Sequence, residues 1–219
     1  MIIVFEWLDG AWKDTQLQNV FKYLTEQNKY LNIWKTQEPS GFTPEWIIIR
    51  EKLKNWWFQT PEEALELYIL DRIWMARYKR LNSSIGVVLV SRGDYTTYAY
   101  QSLEQNWHRG FSFDEIYKKH KELDTQNELV VPDITFFFDL PTEVTMERIK
   151  SRLKEGEKTD FFEKEEFLRE ARKKYLEAIE YLREKENRNI FIINANKSRE
   201  EIFEEIKNIL DNYLKDWEI

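Results

Sequence analysis

The sequence contains no cysteine, which excludes disulfides and thiolate metal centres. Histidine is almost as scarce. His108 and His120 are too few for a His-rich metal site, and both are expected on an exposed helix or loop. Glycine is low at 6 residues, where average usage of about 7% would supply roughly 15. No apolar run approaches the ~18 residues of a membrane span, and Glu6 interrupts the apolar start MIIVF too early for a secretory signal. A broadly basic face is missing too: 33 Lys and Arg stand against 40 Asp and Glu, a net charge of −7. That balance argues against general nucleic-acid binding but leaves room for a local basic pocket around a phosphorylated small molecule. A soluble, cytoplasmic protein with neither nucleic-acid nor membrane partners is expected.

What is present is a regular alternation. A chain of 219 residues suits one α/β domain with a sizeable core. Short apolar runs at 2–5, 30–35, 85–90, 134–140 and 189–194 predict buried strands. Between and after them, helical spacing predicts helices over 15–28, 44–54, 61–81, 95–105, 112–123, 141–154, 163–186 and 199–214. Thr60 suits the N-cap of the third helix, with Pro61 in its first turn and Glu62 and Glu63 at its positive end. Strands alternating with helices predict a parallel sheet covered on both faces, in a single domain.

Ligands of such sheets bind beyond the carboxyl ends of the strands. Four of those ends carry polar clusters: EWLDGAWKDTQ, TQEPSG, SRGDYTTYAYQ and DLPTE. Lys13, Arg50, Arg72 and Arg92 recur around them. Cations around a cleft are what phosphoryl transfer requires. The first cluster follows the phosphate-loop pattern G-x-x-x-x-G-K-[ST], but Trp7 and Trp12 replace both glycines and Asp14 replaces the hydroxyl residue.

These stretches resemble the thymidylate kinase family. FEWLDGAWKDTQ is similar to its F-E-G-x-D-G-x-G-K-[ST]-T-Q, TQEPSG to T-R-E-P-G-G, and WIIIR to G-x-x-[IL]-R. EALELYILDR, SRGDYTTYAYQ, PDITFFFDLP, DFFE and IINA resemble further family motifs in the right order over nearly the whole chain. The resemblance implies a three-layer P-loop kinase fold with a five-stranded parallel sheet and a short lid at about 150–163. It implies transfer of the ATP γ-phosphoryl to dTMP with Mg²⁺, in a homodimer.

Residue roles follow from the same resemblance. ATP would lie on Trp7, Leu8, Asp9, Gly10, Ala11, Trp12, Lys13, Asp14, Thr15 and Ala195, with Lys13 bridging the β- and γ-phosphates. Asp9 would sit near the acceptor and the metal waters, and Arg92 would clamp the transferred group. Gln37, Arg50, Tyr68, Arg72, Arg92 and Gln101 would hold dTMP, with Tyr68 stacked on the base; Tyr68 and Arg72 at i, i+4 also suit plain helix packing. Ala11 carries no charge, so the extra catalytic arginine falls to the lid, where Arg152 is chosen over Lys154 and Lys158; a solvated helix face is the other reading. Two readings of Asp14 stand: a hard oxygen ligand for magnesium, or a negative charge that weakens nucleotide binding.

Taken literally, the loop lacks the glycines that let backbone N–H groups approach phosphates. One reading is a pseudokinase acting by protein association; another is a related nucleoside monophosphate or deoxynucleoside kinase. The substitutions have a pattern, however. Trp7, Trp12 and Trp46 all replace family glycines, and the chain has nine Trp against a glycine deficit of about nine. Drift would bring in many residue types. A UGA codon read as glycine by one code and as tryptophan by another yields this one, and predicts glycine at these positions in the cell.

Overall fold

The computed structural model describes residues 1–7, 13–55, 58–104, 109–152 and 164–215, apart from the side chains of Lys13, Asp14, Asn55 and Arg152. Five strands, Ile2–Trp7 (β1), Asn32–Gln37 (β2), Gly86–Ser91 (β3), Ile134–Asp139 (β4) and Ile190–Asn194 (β5), form one all-parallel sheet in the order β2-β3-β1-β4-β5. Eight helices accompany them among the described residues: Lys13–Gln27 (α1), Pro44–Asn55 (α2), Pro61–Ser83 (α3), Asp94–Gln101 (α4), Phe113–Leu123 (α5), Thr142–Arg152 (α6), Glu165–Glu186 (α7) and Arg199–Leu214 (α8).

The period-2 alternation of β1 sorts its side chains between two layers. Ile3, Phe5 and Trp7 join Leu17, Val20 and Leu24 of α1 and Ile202, Ile206 and Leu210 of α8 in one core. On the opposite face, Phe137 of β4 packs with Leu65 and Ile69 of α3, Tyr95 and Tyr98 of α4, and Tyr175 and Ile179 of α7. Ile2 and Val4 meet Val88 and Val90 of β3 in a smaller cluster.

Most predicted boundaries shift by one or two residues, and two of the shifts have a visible cause. The second strand starts at Asn32, because Asn28 closes a turn in which its side chain accepts from Tyr30 N, leaving Tyr30 exposed. α4 stops at Gln101, where the returning chain donates from Phe111 N to the Gln101 carbonyl. Gly110 lies so close to the Ser102 carbonyl that a Cβ would approach it to 2.0 Å. No described helix is long and apolar enough to cross a membrane.

Candidate active site

β1 and β3 are neighbours, and the helices that follow them pack on opposite faces of the sheet. The carboxyl ends of these two strands therefore flank the crevice where doubly wound folds bind ligands. Arg92 follows β3 directly and takes a left-handed conformation, φ 67°. Its N–H donates to the Phe5 carbonyl at 2.9 Å, and its guanidinium lies 5.6 Å from the Trp7 ring centroid. Tyr68 of α3 reaches the same place. Burial pushes its hydroxyl up to about 12, with the Arg92 charge opposing and Asp71 reinforcing.

The end of β2 joins through Glu38, whose N–H donates to the Ser91 carbonyl at 2.9 Å. The Glu38–Pro39 peptide is cis, and the following Ser40 and Thr43 both donate hydroxyls to Asp71 of α3. Glu38 is buried between two cations, with Arg72 Nε at 2.8 Å and Lys79 in contact. Burial would raise its carboxyl, but Lys79 and Arg72 outweigh that and hold it below the usual range.

Arg72 is a buried hub. Besides Glu38, it donates to Gly93 O at 3.2 Å and Thr97 Oγ1 at 3.0 Å, and it meets His120 Nε2 at 3.0 Å. His120 was expected at the surface, but it is 5% exposed. Its two nitrogens and its ring all have partners inside: Nδ1 bonds the Ile116 carbonyl, Nε2 bonds Arg72, and the ring stacks on Tyr98. Burial and the Arg72 charge lower it to about 4, so it is neutral at ordinary pH.

Several sequence expectations can be placed. Trp7 points into the core at 1% exposure. Thr15 is half-buried in the first turns of α1. Gln37 is exposed at the end of β2, and Arg50 is exposed on α2, 5.8 Å from the Trp46 ring. Gln101 is buried at the end of α4. Ala195 is buried just after β5; its N–H donates to Asp139 O, and its carbonyl accepts from Arg148. Leu8, Asp9, Gly10, Ala11, Trp12 and His108, and nearly all of the lid including Lys154 and Lys158, lie outside the described residues, as do the side chains of Lys13, Asp14 and Arg152. The described residues hold no cluster of three acids or histidines fit for a metal ion.

Reading by motif gave Glu6, Thr96 and Tyr175 no role. Glu6 is fully buried on the face of β1 opposite Trp7. Its Oε1 accepts from Gly93 N at 2.8 Å and its Oε2 from Thr96 Oγ1 at 2.9 Å, while Tyr175 of α7 caps the Thr96 hydroxyl at 2.7 Å. The available signal was an acid inside an otherwise apolar strand, IIVFEW.

A central strand feeding a helix across that switch point, inside an all-parallel sheet ordered β2-β3-β1-β4-β5, defines a P-loop kinase fold. The thymidylate kinase family model matches residues 5–206, and the chain belongs to that family. It is 31% identical over 219 residues to the thymidylate kinase of Thermosipho melanesiensis, covering 98% of this chain and 99% of that one. With the thymidylate kinase of Carboxydothermus hydrogenoformans it shares 34% over 215 residues, 95% and 96% of the two chains. A probable thymidylate kinase of Archaeoglobus fulgidus is 29% identical over 217 residues, 98% and 96% of the chains.

Proposed function

We propose that the chain catalyses ATP-dependent phosphorylation of dTMP to dTDP in the cytoplasm. The observation that carries this reading is Arg92, held in left-handed backbone at the β1/β3 switch point beside Tyr68. Family membership supplies the substrates. In the reaction a dTMP phosphate oxygen bonds to the γ-phosphorus of ATP, the bond to the β-phosphate oxygen breaks, and ADP leaves.

The described residues fit an anionic nucleotide. α1 begins at Lys13 after the central strand, and the first-turn N–H groups of a helix favour phosphate. Trp7 is buried in the core, and its ring lies 5.6 Å from the Arg92 guanidinium at the end of the same strand pair. Bound Mg²⁺ would neutralise charge on the phosphates, and Asp9 and Asp14 are the acids assigned to it. Lys13 bridges the β- and γ-phosphates, and Thr15 and Ala195 complete the nucleotide site. Arg92 and, from the lid, Arg152 stabilise charge on the transferred group. Tyr68 stacks on the base, Arg50 meets the acceptor phosphate, and Gln37 and Gln101 line the acceptor pocket. Arg72 braces the pocket from beneath through Glu38, Gly93 and Thr97.

A homodimer accompanies this reading. Ile47 and Ile48 of α2 and Trp74 and Leu81 of α3 are exposed on two helices that pack together. Such large apolar groups favour burial against a second copy.

A coupled ADP-release assay with dTMP, dUMP, dGMP and dCMP tests the activity on the chain as written and on a Trp7/Trp12/Trp46→Gly version. We expect turnover of dTMP in the glycine version and none in the tryptophan version. Absence of turnover with every acceptor in the glycine version refutes the kinase reading. Preference for another acceptor reassigns it within the fold.

A further inference from the structure

We propose that Glu6 is the positioning residue for Arg92: it fastens the backbone turn that carries that arginine to the end of the central strand. This rests on Arg92 meeting nucleotide phosphate. Ile2, Val4 and Glu6 share one face of β1, and the first two are packed in an apolar cluster. An acid in that row loses its hydration and must find donors. Glu6 finds them almost entirely in one segment. Oε1 accepts from Gly93 N at 2.8 Å and, longer, from Thr96 N at 3.4 Å; Oε2 accepts from Thr96 Oγ1 at 2.9 Å and, longer, from Tyr175 OH at 3.4 Å.

The segment is pinned from other sides as well. Arg92 N donates to Phe5 O, and Gly93 O accepts from Arg72. This matters because Arg92 has φ 67°, a conformation that a long L side chain holds only when its surroundings impose it. Gly93 permits the close approach. A Cβ there would lie 3.1 Å from Val4 Cγ1 and 3.3 Å from Glu6 Oε1. Thus Glu6 reaches Arg92 through its neighbour's backbone and needs no contact with substrate.

The fastening depends on the charge state of Glu6. With the carboxylate ionised, donation runs from Tyr175 OH to Thr96 Oγ1 and from Thr96 to Glu6. A protonated Glu6 must itself donate, which reverses the chain of hydroxyls. Burial raises the carboxyl to about 7; the Thr96 and Gly93 donors and the Arg92 charge oppose that, and Asp94 reinforces it. The titratable and charged groups facing it are Arg92, Asp94 and Tyr95 from the turn and α4, Tyr175 from α7 and Arg72 from α3.

The test combines amide NMR of the ¹⁵N-labelled full chain with dTMP calorimetry on wild type, Glu6→Gln and Arg92→Ala. In wild type the Gly93 and Thr96 amide resonances should titrate near neutral pH; in Glu6→Gln they should move and cease to titrate. At pH 8, Glu6→Gln should bind dTMP about tenfold more weakly, the loss of roughly one charge-assisted hydrogen bond. Its fold is checked by the unchanged resonances of α8. Unchanged dTMP affinity in Glu6→Gln beside weakened binding in Arg92→Ala overturns the proposal. So do Gly93 and Thr96 amides that ignore both pH and the substitution. If Arg92→Ala binds dTMP as wild type does, the role given to Arg92 fails, and the amide response alone decides whether Glu6 holds the turn.

Discussion

Glu6 and Trp7 are adjacent on one strand and face opposite layers of the molecule, so they pull stability and chemistry in different directions. Trp7 fills the core next to Leu17, Phe138 and Leu140. Replacing it by glycine removes a packed indole, which we expect to lower stability by about 3 kcal/mol in urea denaturation. The same change in Trp7 and Trp12 restores glycines where phosphate is expected to approach, so ATP binding by calorimetry should appear in the Trp7/Trp12→Gly protein and be absent in the tryptophan form. If codons 7, 12 and 46 prove to be UGG, translation does not explain the tryptophans. Glu6 gives the clearer pH signature. Its folded-state value near 7 stands above the unfolded 4.5. Between these values the folded state holds a proton that the unfolded state has lost. Its contribution is therefore fully present below about 4.5 and is lost as pH rises to about 7, roughly 3 kcal/mol in all. Wild type should show this decline in denaturation series across that window, and Glu6→Gln should lack it. Glu38 and Asp94, held low by cations, act in a separate window, losing their stabilisation below about 4.

At the scale of elements, local chemistry decides where helices start, and that chemistry is written in neighbouring residues. Ser112 Oγ accepts from Glu115 N while Glu115 Oε2 accepts from Ser112 N, a reciprocal capping box; Ser198 and Glu201 repeat it at α8. Ser112→Ala should cost about 1 kcal/mol by chemical denaturation. Thr60 accepts from Glu63 N as its sequence context implied. The strand pattern, the helix order and the cap at Thr60 could all be read because each depends on residues a few positions apart. The site was readable only where a motif carried it. Arg92 and Tyr68 were assigned that way, whereas Glu6 depends on Gly93, Thr96 and Tyr175, up to 169 positions away. His120 failed as a surface expectation for the same reason, since its partner Arg72 comes from another helix 48 positions off. Periodicity reports which face is buried, not which polar group waits there.

For the whole molecule, the distribution of apolar surface bears on assembly. Helices cover both faces of the sheet; β2 forms one edge, α3 packs against the neighbouring β3, and α2 packs against α3. Those two helices leave Ile47, Ile48, Trp74 and Leu81 exposed, Trp74 at 53% and Leu81 at 72%. With a net charge of −7, two copies repel weakly at long range, so association must draw on apolar contact. A C2 interface places each patch against its own copy, so one substitution acts twice. Ile48→Asp introduces two carboxylates into that contact, and Lys52, one turn along α2, already pairs with Glu63 at 2.8 Å. We expect multi-angle light scattering to give twice the 26.9 kDa chain mass for wild type and one chain mass for Ile48→Asp. Because Ile48 is already half open to solvent, at 42% exposure, the variant should keep the wild-type unfolding midpoint at dilutions where both are monomeric. A wild type that remains monomeric at high concentration would place the function in single chains. A dimer unaffected by Ile48→Asp would move the interface off α2.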